Sequence, residues 1–185
     1  MKNTLIGFVS IIVLVGGLVW FSASRQPSTP TTSAVSSQQH VAIHASAPEA
    51  IFTNLQGASI KLSSFKGKKV MLWLVATWCS SCSEGARVLS QNENKLGNLT
   101  IITLKTYGNA GYPGPSIKTF AEQSAPKMLL AKNWHWGNLT KQSAQVYNPR
   151  NYPDIYFLID KNGVVREIND APAATIDDIL KFARN

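Results

Sequence analysis

The sequence predicts an α/β domain organised round a covered, partly parallel sheet and carried behind an apolar N-terminal segment. Three observations predict it. Residues 69–76 (KVMLWLVA) are apolar at nearly every position, the pattern of a strand covered on both faces. A stretch of helical spacing and a second apolar run, residues 99–104, follow, in the strand-helix-strand order of a parallel unit with a right-handed crossover. At the junction of the first strand and the helix stand the only two cysteines of the chain, in Trp78-Cys79-Ser80-Ser81-Cys82.

Residues 5–21 (LIGFVSIIVLVGGLVWF) form an uncharged run of 17, near the lower limit for a membrane-spanning helix. The run is longer than the ~7–15-residue core of a cleaved signal peptide. An anchor is therefore expected over residues 1–22, with Ser22-Ala23-Ser24 supporting the signal-sequence alternative. Lys2 and the amino terminus before the run, against Arg25 alone after it, favour the N-terminus inside and the remainder outside, facing the periplasm or cell exterior. Residues 23–48 are rich in Ser, Thr, Ala, Gln and Pro and read as a flexible tether reaching roughly 30 Å. The expected folded domain is residues 49–185.

Within it, residues 50–53 and 58–62 alternate about Asn54-Leu55-Gln56-Gly57, a β-hairpin. Residues 63–69 are a polar connection to the central strand. The helix from Cys79 runs to about Leu96, with Cys82, Ala86, Leu89 and Leu96 on one stripe and Gly97 as its stop. Gly85 inside it is unfavourable by about 1 kcal/mol relative to Ala, which suggests close packing. Residues 107–115 (YGNAGYPGP) form a loop, and Ser116 caps a helix to about Ser124. Trp134-His135-Trp136 reads equally as a substrate surface or as core. Asn138 or Thr140 caps a short helix ending near Tyr147. Residues 155–159 and 164–168 are a strand pair about the turn Asp160-Lys161-Asn162-Gly163. Thr175 caps a last amphipathic helix.

Charge excludes little. The formal net charge is +8, and the residues after Pro48 hold 16 basic and 10 acidic side chains. Apart from Lys66, Lys68 and Lys69 the basic residues are scattered, without a basic-aromatic stripe, so no nucleic-acid partner is expected.

Two cysteines one helical turn apart, at the start of a helix, read as a redox pair. Free N–H groups and the positive end of the helix dipole point at the first sulfur and favour its nucleophilic thiolate. A structural zinc site requires four ligands, and His40, His44 and His135 are the only histidines, none with finger spacing. Covalent haem attachment requires a His where Ser83 stands. A purely structural disulfide remains open, although such bridges usually close longer loops. No metal or organic cofactor is expected.

Residues Leu62-Ser63-Ser64-Phe65-Lys66-Gly67-Lys68, Ala76-Thr77-Trp78-Cys79-Ser80-Ser81-Cys82, Tyr152-Pro153 and residues 157–163 (FLIDKNG) together resemble the thioredoxin fold. They are most similar to the membrane-anchored, exported disulfide reductases of the TlpA/ResA type. The resemblance implies a central sheet with helices on both faces and an N-terminal hairpin extension. It implies Cys79 as attacking thiol and Cys82 as resolving thiol, with Trp78 on the rim. Pro153 would be a cis-proline facing the disulfide, exposing the backbone of Tyr152 to a substrate strand. Disulfide-containing proteins would be substrates, and a membrane electron donor of the DsbD/CcdA kind would supply reducing equivalents. The chain departs from these relatives at two positions. Trp73 stands where thioredoxins keep a buried acid on the strand, and Gly85 where ResA-type proteins keep one in the redox helix. Glu84 is one residue away and points elsewhere, so the sequence names no proton-transfer carboxylate.

The expected reaction is thiol–disulfide exchange. A copper chaperone of the Sco type is the rival from another class, using both thiolates and a histidine, although that family spaces its cysteines one residue further apart. An oxidase of the same fold and a peroxiredoxin, which needs a Thr-x-x-Cys arrangement that Thr77 does not make, are further alternatives.

Overall fold

A computed structural model describes residues 40–185. The expected anchor and most of the tether lie outside the described residues. No helix among the described residues is long and apolar enough to cross a membrane.

The strands are β1 (Ile51–Asn54), β2 (Ser59–Lys61), β3 (Val70–Val75), β4 (Thr100–Lys105), β5 (Trp134–Leu139), β6 (Ile155–Ile159) and β7 (Val165–Asp170). The helices are α1 (Ser80–Gln91), α2 (Glu93–Leu96), α3 (Ile117–Ser124), α4 (Lys141–Tyr147) and α5 (Ile176–Arg184). One mixed sheet runs in the order β2-β1-β5-β4-β3-β6-β7. β3, β4 and β5 are parallel, and β1, β6 and β7 join antiparallel to their neighbours. This is the thioredoxin-like α/β fold, with β3 inside the sheet and all six of its residues buried, as its unbroken apolar run requires.

Alternation along the strands divides the core. Met71, Trp73, Val75, Trp134, Trp136, Tyr156 and Leu158 face α1, α2, α3 and α5. Leu72, Leu74, Ile102, Leu104 and Phe157 face α4 and the 3₁₀ turn Leu62–Phe65. Helices therefore cover both faces.

Several expectations change in detail. The single helix expected from Cys79 to Leu96 divides at Asn92, whose amide donates to the Val88 carbonyl, and Gly97 ends it at φ 55°. Residues 134–139 are a strand. Trp134 and Trp136 stack 9° from parallel inside the core, each 3% exposed, so the substrate-surface reading of these tryptophans is overturned. Their indole N–H groups donate to Thr103 Oγ1 and to the Met128 carbonyl, which allows two tryptophans to be buried without an unpaired donor. A β-carbon on Gly137 would stand 2.4 Å from the Thr53 carbonyl oxygen, so glycine there permits β1 to join β5. Thr140 caps α4 through Ser143 N, and Ser116 caps α3 through Thr119 N. Thr175 does not cap α5 with its side chain; its hydroxyl donates to the carbonyls of Asp170 and Ala171 and accepts from Tyr156 Oη. Residues 44–47, read as the end of the tether, run beside the β6–β7 turn, with His44 N donating to the Val165 carbonyl and Ala47 N to that of Gly163.

Candidate active site

The C-terminal end of β3 leads through Ala76-Thr77-Trp78 to Cys79, the N-cap of α1. Cys79 has extended backbone (φ −81°, ψ 119°), and its sulfur accepts from Cys82 N at 3.2 Å in the place a capping oxygen usually takes. Ser81 Oγ lies 3.2 Å from the same sulfur. Cys79 is 6% exposed and Cys82 fully buried, and no disulfide joins them. The helix thus presents one sulfur near the surface, within reach of its N–H groups, and holds the other in the core.

Sequence reasoning missed Asp154. A carboxylate oxygen of this residue and the two sulfurs all lie within 4.8 Å of one another. Asp154 is at φ 71°, just before β6, with its N–H donating to the Leu74 carbonyl and its carbonyl accepting from Ala171 N. Oδ1 accepts from Trp73 Nε1 at 3.0 Å, while the buried Oδ2 has no hydrogen-bond partner. Burial raises the carboxyl pKa above its usual value, opposed by the nearby Ser81 hydroxyl, Trp73 indole and Cys82 thiol, of which only the indole N–H is at hydrogen-bonding distance. Burial likewise pushes the Cys82 thiol far above its ordinary range, and the Asp154 charge adds to the effect. A signal was present in the sequence: an acid standing between the proline expected to face the cysteines and an apolar strand is drawn into the interior with that strand.

Trp78 is 44% exposed and stands beside Cys79. Its indole N–H donates to the Asn109 carbonyl at 2.7 Å, and Tyr112 packs edge-on with ring centroids 5.2 Å apart. Asn109 organises this rim. Its Oδ1 accepts from Thr77 N and Thr77 Oγ1, and its Nδ2 donates to the Tyr112 carbonyl. Gly108, Asn109 and Ala110 all have positive φ, a left-handed run that Gly and Asn tolerate best.

The expectations at Tyr152 and Pro153 need correction. No peptide bond among the described residues is cis, Tyr152–Pro153 included. The backbone of Tyr152 is also engaged: its N–H donates to Asn148 Oδ1 at 2.9 Å and its carbonyl accepts from Asn148 Nδ2 at 2.7 Å. The buried Asn148 clamp therefore occupies the groups expected to pair with a substrate strand, and what Tyr152 presents outward is its ring.

His135 points away from the thiols. It lies on the opposite face of β5 from Trp134 and Trp136, edge-on to Phe65 with centroids 4.8 Å apart. The two-thiolate, one-histidine set of a copper chaperone is not assembled among the described residues. Two sulfurs and one carboxylate also fall short of the four donors that a tetrahedral structural site takes.

Residues 42–180 match the sequence pattern of the Redoxin family. The chain belongs to the redoxin family. The chain is 29% identical over 170 residues to "Thiol-disulfide oxidoreductase ResA" of Bacillus cereus, covering 90% of this chain and 88% of that protein. With this relative and the cysteine pair on its fold, it is a thioredoxin-like thiol-disulfide oxidoreductase of the TlpA/ResA type. Its fold is similar to that of a thiol:disulfide interchange protein from Bacteroides sp. (TM-score 0.52, 20% identity, 78% of this chain and 92% of that one). It is also similar to that of BsSco, of the Sco family of cytochrome c oxidase assembly proteins (TM-score 0.55, 17% identity, 80% and 98%).

Proposed function

We propose that this redoxin is exported, tethered to the inner or cytoplasmic membrane by residues 1–22, and reduces disulfides of extracytoplasmic proteins through Cys79 and Cys82. The observation that carries the chemistry is the asymmetry of the pair: one sulfur at a helix N-terminus near the surface, the other fully buried behind it. The Cys79 thiolate attacks a substrate disulfide, forming a mixed disulfide and releasing one substrate thiolate. Cys82, having lost its proton, attacks Cys79 Sγ, closing the Cys79–Cys82 disulfide and releasing the second substrate thiolate. The substrate gains two electrons and the dithiol loses two. The exchange uses neither metal nor organic cofactor. A DsbD/CcdA-like membrane donor would restore the dithiol. The uncharged run 5–21 supports the tether, and the amino group with Lys2 before it, against Arg25 alone after it, supports the outward orientation.

Trapping tests the roles. With Cys82→Ser, the full-length chain accumulates a mixed disulfide to Cys79 with a reducible protein substrate; with Cys79→Ser it forms none. A mixed disulfide that forms equally well on Cys82 overturns the assignment. Equilibration with glutathione or dithiothreitol tests direction, because potentials across this fold span roughly −270 to −120 mV. A value at the reducing end supports a reductase, and one at the oxidising end makes the protein a disulfide donor. A C-terminal reporter that is active only outside the cytoplasm tests the orientation, and its inactivity overturns export.

A further inference from the structure

The resolving step has a difficulty that the cysteines alone do not remove. Cys82 is fully buried, and its thiol must lose a proton before it can attack Cys79. Burial disfavours the thiolate, so a proton acceptor inside the site is required. The strand position and the helix position at which an acid could face the pair are taken by Trp73 and Gly85. These two residues pack on each other, since a β-carbon on Gly85 would stand 3.0 Å from Trp73 Cζ2. The indole therefore fills the space under the helix and turns its N–H toward Asp154.

Asp154 fits the role on three counts. A carboxylate oxygen lies within 4.8 Å of both sulfurs. Oδ1 is fixed by Trp73 Nε1, and Oδ2 is buried with no hydrogen-bond partner, an uncommon state for a native carboxylate. The backbone is locked, with Asp154 N bonded to Leu74 on β3 and its carbonyl to Ala171 N. We infer that Asp154 accepts the Cys82 proton in the resolving step, held in register by Trp73, so that the base comes from the loop before β6 and not from β3 or the redox helix.

The step balances. Cys82–SH gives its proton to the Asp154 carboxylate as its sulfur forms a bond to Cys79 Sγ. The Cys79–substrate S–S bond breaks, and the electron pair leaves on the substrate sulfur. Protonated Asp154 later returns its proton to solvent, and the exposed Ser81 hydroxyl beside Cys79 marks the surface side of the site. Facing Asp154 are the titratable groups Cys79 and Cys82 from the α1 end, and Asp170 at the end of β7, whose negative charge adds to the affinity of Asp154 for a proton. Placing the base on this loop also joins it to Tyr152 and Pro153, so contacts at Tyr152 bear on the group that drives resolution.

The inference rests on the exchange reading above, and one experiment separates the two. The reduced full-length chain is mixed with excess 5,5′-dithiobis(2-nitrobenzoate), and released thionitrobenzoate is followed by stopped flow. The first release is attack by Cys79 and the second is attack by Cys82 on the Cys79 adduct. Asp154→Asn keeps an acceptor for Trp73 and removes the base. Its second phase slows on the order of 10²-fold near neutral pH and becomes proportional to hydroxide, while its first phase stays within about twofold. A second phase at the parental rate overturns the role of Asp154, and so does equal slowing of both phases. Absence of a second release in the parent overturns the exchange reading instead. Should Asp154→Asn not fold, the parent's pH profile decides. Its second-phase rate breaks downward as pH falls through the Asp154 pKa, whereas a tenfold rise per pH unit from about pH 4 to about pH 9 with no break overturns the inference.

Discussion

The Trp73 indole leaves no room for a side chain at Gly85 on α1: a β-carbon on Gly85 would lie 3.0 Å from Cζ2 and 3.1 Å from Cη2 of the indole. Trp73 is fully buried and hydrogen-bonded through Nε1, so it cannot move aside freely. Gly85→Ala gains about 1 kcal/mol of helix propensity and loses about 1–3 kcal/mol to overpacking. The expected net result is destabilisation of about 1 kcal/mol, measured as a lower urea midpoint with unchanged slope. A higher midpoint would show that the indole yields.

Asn109 ties the aromatic rim to the turn that precedes the cysteines. Asn109→Ala leaves Thr77 N and the Tyr112 carbonyl without their partners and places Ala at φ 53°. Three hydrogen bonds at about 1 kcal/mol each set a loss of roughly 2–3 kcal/mol. The backbone carbonyl that accepts from Trp78 Nε1 remains, but the loop carrying it is loosened, so KM for a protein disulfide rises several-fold and kcat changes less. Steady-state reduction of a protein substrate separates the two constants.

Stability and pH are linked at Asp154 with a definite sign. Its folded pKa is raised above 3.8, so the folded state holds the proton where the unfolded state has released it. Its contribution is therefore most favourable below 3.8 and is lost as pH rises through the folded value. Each unit of upward displacement corresponds to about 1.4 kcal/mol. Asp154→Asn is expected to be more stable than the parent at neutral pH, with the advantage shrinking as pH falls toward 3.8. Denaturant titrations of both proteins across that range measure the difference.

His135 acts in the opposite sense. Burial against Phe65 lowers its pKa, and the nearby Lys68 charge lowers it further. Its neutral form contributes stability that is full above the unfolded value of 6.5 and is lost as pH falls through the folded one. His135→Leu is expected to remove this acid-side loss while leaving thiol exchange unchanged. A parental slope of stability against pH in the variant would contradict the assignment.

The core elements were legible because their signals are local. The unbroken run of β3, the stripe Cys82-Ala86-Leu89 and the caps Ser116 and Thr140 each state their structure within a few residues. β5 was not legible, because a glycine that serves close strand approach interrupts the alternation of Trp134, His135 and Trp136. The cysteine pair was visible in the sequence, but its carboxylate partner was not. Asp154 is 81 residues from Trp73, and only the antiparallel pairing of β3 with β6 brings them together. The free backbone expected at Tyr152 failed for a similar reason, since nothing local announces that the Asn148 side chain will occupy both of its polar groups.

The burial of Cys82 also gives the chain an internal clock. The core that encloses this thiol includes Tyr156, Leu158 and Ile179, which a ribosome makes long after the cysteines. Until those residues arrive, Cys82 is an ordinary cysteine, as open to alkylating reagents as Cys79. The moment at which a brief pulse of iodoacetamide ceases to label position 82 therefore marks the docking of β6 and α5 onto the nascent sheet.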